Sequence, residues 1–221
     1  MKTASRLIFW FAGLASKQYI VARYGKGFYT DYRVNAGRRF KELLPQIEDI
    51  GDSIFRLNYY FVPVYFAWFD ALRYRLDEKE AMELIWQINE CMLGIFPRWM
   101  LRILAKTAYL GIFRKKAPVA EARGKAGELH PMDWRVEYVD MDQSSFGINI
   151  FECAFIKQAK RFGYMGMFPM ICRMDYLFSH YMDTTFIRTK TLGDGDDCCN
   201  CVYSYPGKCE WSPAKGFAER K

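Results

Sequence analysis

The amino-acid sequence predicts an α+β fold, in which a helical N-terminal half is followed by a β-β-α-α-β-β half with an antiparallel sheet. Apolar residues recur at helical spacing through residues 1–113. After residue 132, short segments alternate between apolar and polar residues, as half-buried strands do. Between the two parts lies "RKKAPVAEARGKAGELHP", residues 114–131, which is polar, basic and glycine-bearing. We therefore expect a helical region (1–113), a linker (114–131) and an α+β region (132–221).

Four segments of the helical region carry helix signals. Residues 31–50 have helical spacing that Pro45 interrupts, so we expect a kink or two short helices there. Residues 53–76 form the second segment. The third begins after Asp77, which lies three residues before Glu80 in the spacing of a capping box. The fourth is "RWMLRILAKTAYLGIF".

The α+β region supplies the strands. Residues 134–141, "WRVEYVDM", and residues 146–155, "FGINIFECAF", predict two strands joined by a short turn. Two helices follow, in "CAFIKQAKRFG" and "FPMICRMDYLFSHYM". Residues 184–192, "TTFIRTKTL", and residues 198–205, "CCNCVYSY", predict two further strands joined by "GDGDD".

The composition indicates a globular protein with a substantial core. Hydrophobic residues make up 51% of the chain and aromatic residues 18%, which excludes disorder for most of it. The most apolar stretch, "LNYYFVPVYFAWF" at 57–69, is short and contains Pro63. A membrane-spanning helix needs about 20 apolar residues. We therefore expect this stretch to be a buried helix.

The excess of positive charge belongs to the N-terminus. Residues 1–41 contain nine Lys or Arg and one Asp, together with many aromatic residues, while the rest of the chain is nearly balanced. The favoured interpretation is a first helix with an apolar face packed inward and a solvated basic face. Peripheral contact with a membrane through residues 1–30 is the alternative. A nucleic-acid partner is not expected, since no nucleic-acid-binding motif accompanies the charge.

The cysteine count bears on the compartment. Seven cysteines, with Cys198 and Cys199 adjacent, make a poor disulfide framework. We therefore expect a cytoplasmic protein with reduced thiols, in contact with the membrane surface if the basic segment binds lipid. Residues 1–15 also have features of a secretory signal, and that alternative stays open. The sequence predicts no oligomeric state.

Four cysteines lie close together near the C-terminus. Structural zinc sites usually have C-x₂-C knuckles, and thiol redox sites have C-x-x-C at a helix start. The spacing here is C-C-x-C followed by a fourth cysteine at position 209, so a second C-x₂-C knuckle is missing, and the segment is predicted as a strand and not as a helix start. We predict no cofactor. Zinc or iron bound by these cysteines is the alternative: Cys198, Cys199, Cys201 and Cys209.

A pocket is the interpretation that we favour for this part of the chain. The last two strands and the facing helices would place six residues around one cavity: Cys153, Cys172, Asp175, Arg188, Thr191 and Cys199. An arginine can bind a carboxylate through two hydrogen bonds, and a thiol beside a cation becomes a better nucleophile. A carboxylate such as Asp175 can activate water or hold an amino group. His180, five residues after Asp175, could form a Cys–His pair.

These residues together resemble a known family. The stretch "RTKTLGDGDDCCNC" is similar to the R-x-x-T-(L/I)-x-x-G-x-x-x-C-D-F pattern of the L-2-amino-thiazoline-4-carboxylic acid hydrolase family, with matches at Arg188, Thr191, Leu192, Gly195 and Cys199. Residues 31–205 share the resemblance more loosely. The chain departs from the pattern where the family has Asp-Phe and this sequence has Asn-Cys, at residues 200–201.

The resemblance implies hydrolytic ring opening at the C=N bond of a carboxylate-bearing thiazoline, which gives a carbamoyl-cysteine. A small molecule would be the substrate. The implied catalytic residues are Cys199, Asp175 and Cys172. The implied substrate-binding residues are Arg188, Thr191, Cys153 and Gly195. Attack by water and attack by a thiol both remain open, and a binding module without turnover is the second interpretation.

Overall fold

The computed structural model describes residues 1–209 and residue 217. The helices in the described part are α1 (Lys2–Ala15), α2 (Lys17–Leu43), α3 (Arg56–Tyr59), α4 (Val62–Leu72), α5 (Glu78–Gly94), α6 (Arg98–Leu104), α7 (Leu110–Lys125), α8 (Ala154–Phe162) and α9 (Phe168–Met182). A π-helical turn, Ala105–Tyr109, joins α6 to α7. The strands are β1 (Arg135–Asp140), β2 (Ser145–Glu152), β3 (Thr185–Ile187) and β4 (Cys199–Ser204). This order confirms the predicted α+β fold.

The helical half forms around α4. All but one of its eleven residues are buried, which confirms a buried helix in the apolar stretch. Helix α2 packs along α4 and ends at Leu43, two residues before Pro45, because Pro45 has no N–H with which to continue the helical hydrogen bonds. Asp77 caps α5 as expected, since its Oδ1 accepts the Glu80 N–H at 2.8 Å. No helix within the described residues is long and apolar enough to span a membrane.

The four strands form one antiparallel sheet in the order β1-β2-β4-β3. Strand β3 is much shorter than the predicted strand 184–192, because it pairs with β4 only over Thr185–Ile187. The chain then leaves the sheet and forms a loop that crosses α9 before it returns as β4. This early end of β3 places Arg188 at the junction between sheet and loop.

The expected linker is helical over most of its length. Helix α7 runs to Lys125, and only residues 126–131 connect it to the region of the sheet. Its buried residues are spaced three and four positions apart and therefore form one apolar face of a helix whose other positions include many charged residues. They are Leu110, Phe113, Ala117 and Ala120. The face packs on β1, and Glu121 accepts the backbone N–H of Tyr138 at 2.9 Å. The prediction of a linker at 114–131 was therefore wrong for residues 114–125.

Candidate active site

A cavity of about 200 Å³ lies between the helical half and the sheet. It is lined by residues of α3, α4, α9 and β4, by the end of the π-helical turn, and by the segments that follow β2 and β3. Eleven of its twenty lining side chains are Phe, Trp, Leu, Ile or Met. Its reactive groups are three thiols, a carboxylate and a guanidinium: Cys153, Cys172, Cys199, Asp175 and Arg188.

Arg188 is the buried cation of this cavity, with a side chain only 4% exposed. Its Nη1 donates to Asp175 Oδ2 at 3.3 Å, and its Nη2 donates to the carbonyl oxygen of Cys172. The guanidinium also lies 5.2 Å from the centroid of the Phe186 ring. Burial opposes its charge, but Cys201, Cys172 and Asp175 around it raise the pKa of Arg188 above its usual value. The guanidinium therefore stays charged.

Asp175 is the carboxylate beside it, and burial raises its pKa above the ordinary range, partly offset by Arg188 and Tyr109. Its Oδ1 accepts the Tyr109 hydroxyl at 3.5 Å and its Oδ2 accepts Arg188 at 3.3 Å. Both distances are long, so each oxygen can still bind another partner. A carboxyl group with a raised pKa and spare hydrogen-bonding capacity is suited to proton transfer.

Tyr109 is a site residue that sequence reasoning missed. It is the last residue of the π-helical turn, which rotates its ring towards α9. Gly111 permits this turn, because a Cβ at that position would lie 2.4 Å from the carbonyl oxygen of Lys106. Single π-helical turns are frequent at functional sites. Nothing in "AKTAYLG" distinguishes this turn from an ordinary helix before the structure is seen.

The three cysteine sulfurs of the cavity differ in their surroundings. Burial raises the pKa of Cys172 to about 11 and that of Cys153 to about 12, so both are protonated thiols at neutral pH. The sulfur of Cys199 accepts the Leu192 backbone N–H at 3.2 Å and lies 3.4 Å from the Thr191 hydroxyl. These contacts fix the position of the Cys199 sulfur.

These donors belong to a loop, residues 191–197, that is tied to α9. The fully buried guanidinium of Arg173 donates to both carboxylate oxygens of Asp194, at 3.0 and 2.8 Å. Asp196 accepts the Thr191 N–H at 2.8 Å. The loop then passes so close to α9 that a Cβ on Gly193 would lie 2.4 Å from the sulfur of Cys172. The acidic residues of "GDGDD" therefore hold the loop that positions the thiols.

Asn200 and Cys201, where the chain departs from the family pattern, lie in different places. The Oδ1 of Asn200 accepts the N–H groups of Thr189 and Lys190, at 3.0 and 2.7 Å. Asn200 thus takes over the hydrogen bonds that would have continued β3, on the face of β4 opposite Cys199. An aspartate could accept the same two N–H groups. Cys201 is buried next to Arg188, outside the cavity wall.

The structure brings five of the seven predicted site residues to the cavity. The other two support it. Thr191 is buried behind the sulfur of Cys199. Gly195 follows the 3₁₀ turn of the loop with a φ of 93°, a conformation that favours glycine, and it does not line the cavity. His180 is likewise elsewhere, since its Nδ1 lies 2.8 Å from the carbonyl oxygen of Cys209.

The cysteines proposed as metal ligands do not form a cluster. Within residues 1–209 and 217, no group of three or more His, Cys, Asp or Glu side chains is arranged to hold a metal ion. Cys199 and Cys201 point into the protein, whereas Cys198 lies beside Asp197 and Lys190. The geometry of these donors does not support zinc or iron at Cys198, Cys199, Cys201 and Cys209.

The fold and the cavity define an α+β protein in which a carboxylate, a guanidinium and three thiols line one cavity between the helices and the sheet. The chain belongs to the L-2-amino-thiazoline-4-carboxylic acid hydrolase family, whose model matches residues 57–203. The match extends from α3 to β4 and includes every residue of the predicted site. No match to a curated protein was found.

Proposed function

We propose that this protein is a hydrolase that opens a carboxylate-bearing ring containing an amidine-like C=N bond, as in L-2-amino-thiazoline-4-carboxylate. One observation carries the proposal: Cys199, Asp175 and Arg188 line the same cavity of a chain that belongs to this family. The protein has an odd number of cysteines, all of them free, which supports a cytoplasmic location.

Arg188 supplies the positive charge that a carboxylate ligand needs. Guanidinium groups bind carboxylates through charge-assisted hydrogen bonds, which are stronger in a cavity that excludes water. Asp175 already occupies one side of this guanidinium, so the ligand carboxylate and Asp175 share it. The ring nitrogen of the bound substrate would then lie within reach of Asp175.

Cys199 is the nucleophile in this proposal, because its sulfur lines the cavity with Asp175 and Arg188 and is held in place by the Leu192 N–H. The sulfur of Cys199 adds to the amidine carbon while Asp175 gives a proton to the ring nitrogen. The bond between that carbon and the ring sulfur then breaks, and the ring sulfur takes the proton that the Cys199 thiol gave up, so that the opened substrate carries a free thiol. Asp175 next takes a proton from water, whose oxygen adds to the same carbon. The bond to Cys199 then breaks, the Cys199 sulfur takes back the proton of the added hydroxyl group, and the balance is one water consumed and one urea group formed.

The test is incubation of the reduced protein with L-2-amino-thiazoline-4-carboxylate, followed by mass spectrometry for a product heavier by one water. We expect Cys199→Ser to lower kcat/KM at least about 1,000-fold and Asp175→Asn at least about 100-fold. Cys91→Ser, a half-buried cysteine of α5, is the matched control and should retain activity. In Asp175→Asn we also expect an adduct on Cys199 in the intact-protein mass.

Each other outcome has a definite meaning. Turnover that survives in Cys199→Ser would assign the attack to water activated by Asp175. Absence of product from the wild type, with tight binding of the thiazoline, would favour a binding module. Absence of both product and binding would refute the proposed function.

A further inference from the structure

The wall of the cavity is more apolar than 2-amino-thiazoline-4-carboxylate requires. That molecule is a small ring with a carboxylate, an amino group, a ring nitrogen and a sulfur. Half of the twenty lining side chains are hydrocarbon or thioether groups that offer it no hydrogen bond. Ligand sites usually combine an apolar wall with a few polar groups that fix the polar part of the ligand. A polar ring alone would leave most of this wall without an apolar partner.

The polar groups of the cavity are concentrated in one cluster. Asp175 contacts both Tyr109 and Arg188, so the three residues form a single binding place for a polar group. Away from this cluster the wall is aromatic. The rings of Phe61 and Phe178 have centroids 6.4 Å apart, and both line the cavity. The site is therefore divided into a charged part and an apolar part.

The apolar part reaches the surface. Leu57 lines the cavity and is 48% exposed, and Phe61, Ile171 and Phe178 are partly exposed lining residues. These residues come from α3, from the start of α4 and from the middle of α9. A substituent that extends from a bound ring in this direction would meet apolar side chains and then the opening. The cavity therefore does not limit the substrate to a small ring.

Given the proposed function, we infer that the preferred substrate carries a bulky apolar substituent, aromatic or branched aliphatic, on the carboxylate-bearing ring. Its carboxylate and ring nitrogen bind to Arg188 and Asp175, and its substituent lies between Phe61, Phe178 and Ile171. Burial of the substituent supplies binding free energy in proportion to its apolar area.

The experiment compares L-2-amino-thiazoline-4-carboxylate with its 5-phenyl derivative, for both turnover and direct binding by calorimetry. We expect the phenyl derivative to bind at least about tenfold more tightly to the wild type. Phe178→Ala should lower this preference at least about fivefold. Val119→Ala, an exposed apolar residue of α7, is the control and should leave the preference unchanged.

Binding and turnover separate this inference from the proposed function. If the phenyl derivative binds no more tightly than the parent compound, the inference is wrong, whether or not product forms. If it binds more tightly and neither compound is hydrolysed, the inference stands and the proposed reaction fails. If Phe178→Ala keeps the full preference, the substituent does not bind in this cavity and the inference is also overturned.

A second inference comes from the outer face of α1, independently of the cavity. Leu7, Trp10 and Leu14 recur at helical spacing and are 62, 59 and 51% exposed. Lys2 and Arg6, which lie on the same helix, are also exposed and carry positive charge. Large apolar side chains in an exposed row usually mark an interaction surface.

The opposite face of α1 packs against the rest of the protein, so the row of Leu7, Trp10 and Leu14 faces outward. The ring of Phe9 stacks on Phe40 with centroids 4.5 Å apart, and Phe11 contacts Phe96 at 5.7 Å. The Tyr29 hydroxyl donates to the Gly13 carbonyl oxygen at 3.0 Å. Helix α1 is therefore packed into the fold, and its exposed row is part of the folded surface.

A neighbouring segment extends the apolar surface. Phe96, which contacts α1, stands next to Ile95, and α6 follows with Trp99 and Ile103 exposed on it. Ile95, Trp99 and Ile103 are 54, 62 and 55% exposed. Two exposed tryptophans thus lie on α1 and α6, and the Phe11–Phe96 contact links α1 to the segment that precedes α6. Tryptophan is the residue most typical of the boundary between lipid and water.

Charge identifies the partner as an anionic lipid surface. The first 41 residues carry an excess of eight positive charges, of which Lys2 and Arg6 lie exposed on α1 itself and the others on α2. A two-fold dimer through this face would bring identical basic surfaces together, which like-charge repulsion opposes. A membrane that contains phosphatidylserine supplies both negative charge and an apolar layer. We propose that α1 and the start of α6 bind such a surface, with Leu7, Trp10 and Leu14 inserted.

Co-sedimentation of the full chain with vesicles tests this proposal. We expect binding to vesicles of phosphatidylcholine with phosphatidylserine, little binding to phosphatidylcholine alone, and release by high salt. Trp10→Ser with Leu14→Ser should lower the partition at least about tenfold. Val34→Ser, an equally exposed residue of α2, is the control. Absence of vesicle binding, or a solution dimer that the double variant dissociates, would overturn the proposal.

Discussion

Replacement of Arg188 by leucine is expected to lower kcat/KM for the proposed hydrolysis at least about 100-fold, because it removes the charge-assisted contact proposed for the substrate carboxylate. It should also lower the free energy of unfolding by about 3–5 kcal/mol at neutral pH, because it leaves Asp175 buried without its cation. The pair is shielded from solvent, with side chains 4% and 23% exposed. Kinetic assay and thermal unfolding measure the two effects.

The loss of stability in Arg188→Leu should depend on pH. The folded-state pKa of Asp175 is already above its unfolded value, so its protonated form stabilises the fold and this contribution is lost as pH rises through the folded pKa. Without Arg188 that pKa rises further. The loss in free energy of unfolding relative to the wild type, here called the deficit, should therefore be larger at pH 8 than at pH 5.

Two further variants isolate the cause of that deficit. In Arg188→Leu with Asp175→Asn, the pH dependence of the deficit should disappear while activity stays low. Arg75→Leu breaks an exposed ion pair with Asp31 and should cost no more than about 1 kcal/mol at either pH. A deficit in Arg188→Leu that is equal at pH 5 and pH 8 would show that the Asp175 carboxylate is not its cause.

The elements that could be predicted are those whose signals are local. The cap at Asp77 depends on residues three positions apart, and the alternation in β2 and β4 depends on neighbours. The convergence of Cys172, Asp175, Arg188 and Cys199 could be predicted because two helices must pack on the sheet that carries the last strands. In each case the pattern along the chain fixes the geometry.

The errors come from tertiary contacts that override local composition. The charges of α7 made residues 114–131 resemble a linker. The helical spacing of the segment is visible only at a few buried positions, such as Phe113 and Ala117, which are four residues apart. Strand β3 ends early because the side chain of Asn200 replaces the strand's backbone partners. Tyr109 pairs with Asp175, which is 66 positions away in the sequence, and Arg173 pairs with Asp194, which is 21 positions away. No local pattern encodes such pairings.

The acidic loop shows why the site depends on residues outside the cavity. Asp194→Ala removes both hydrogen bonds that Asp194 accepts from the fully buried Arg173. We expect a loss of about 3 kcal/mol in the free energy of unfolding. For a chain of this size that loss lowers Tm by about 6–12 °C.

The loop should also move away from α9 in this variant. Gly193 now lies against the sulfur of Cys172, so its displacement would expose that thiol. We expect faster alkylation of Cys172 by iodoacetamide in Asp194→Ala, read by peptide mass spectrometry in the folded protein. Asp197→Ala is the matched control, because Asp197 belongs to the same loop but pairs with Lys190 in solvent, where its side chain is 74% exposed.

The control should change stability by less than about 1 kcal/mol and leave the alkylation rate of Cys172 unaltered. Equal behaviour of Asp194→Ala and Asp197→Ala would show that the buried pair does not hold the loop. If only Asp194→Ala exposes Cys172 and also loses hydrolysis, the Arg173–Asp194 pair positions Cys199 through the Leu192 N–H. Loss of stability with normal turnover in the folded fraction would limit the pair to stabilising the fold.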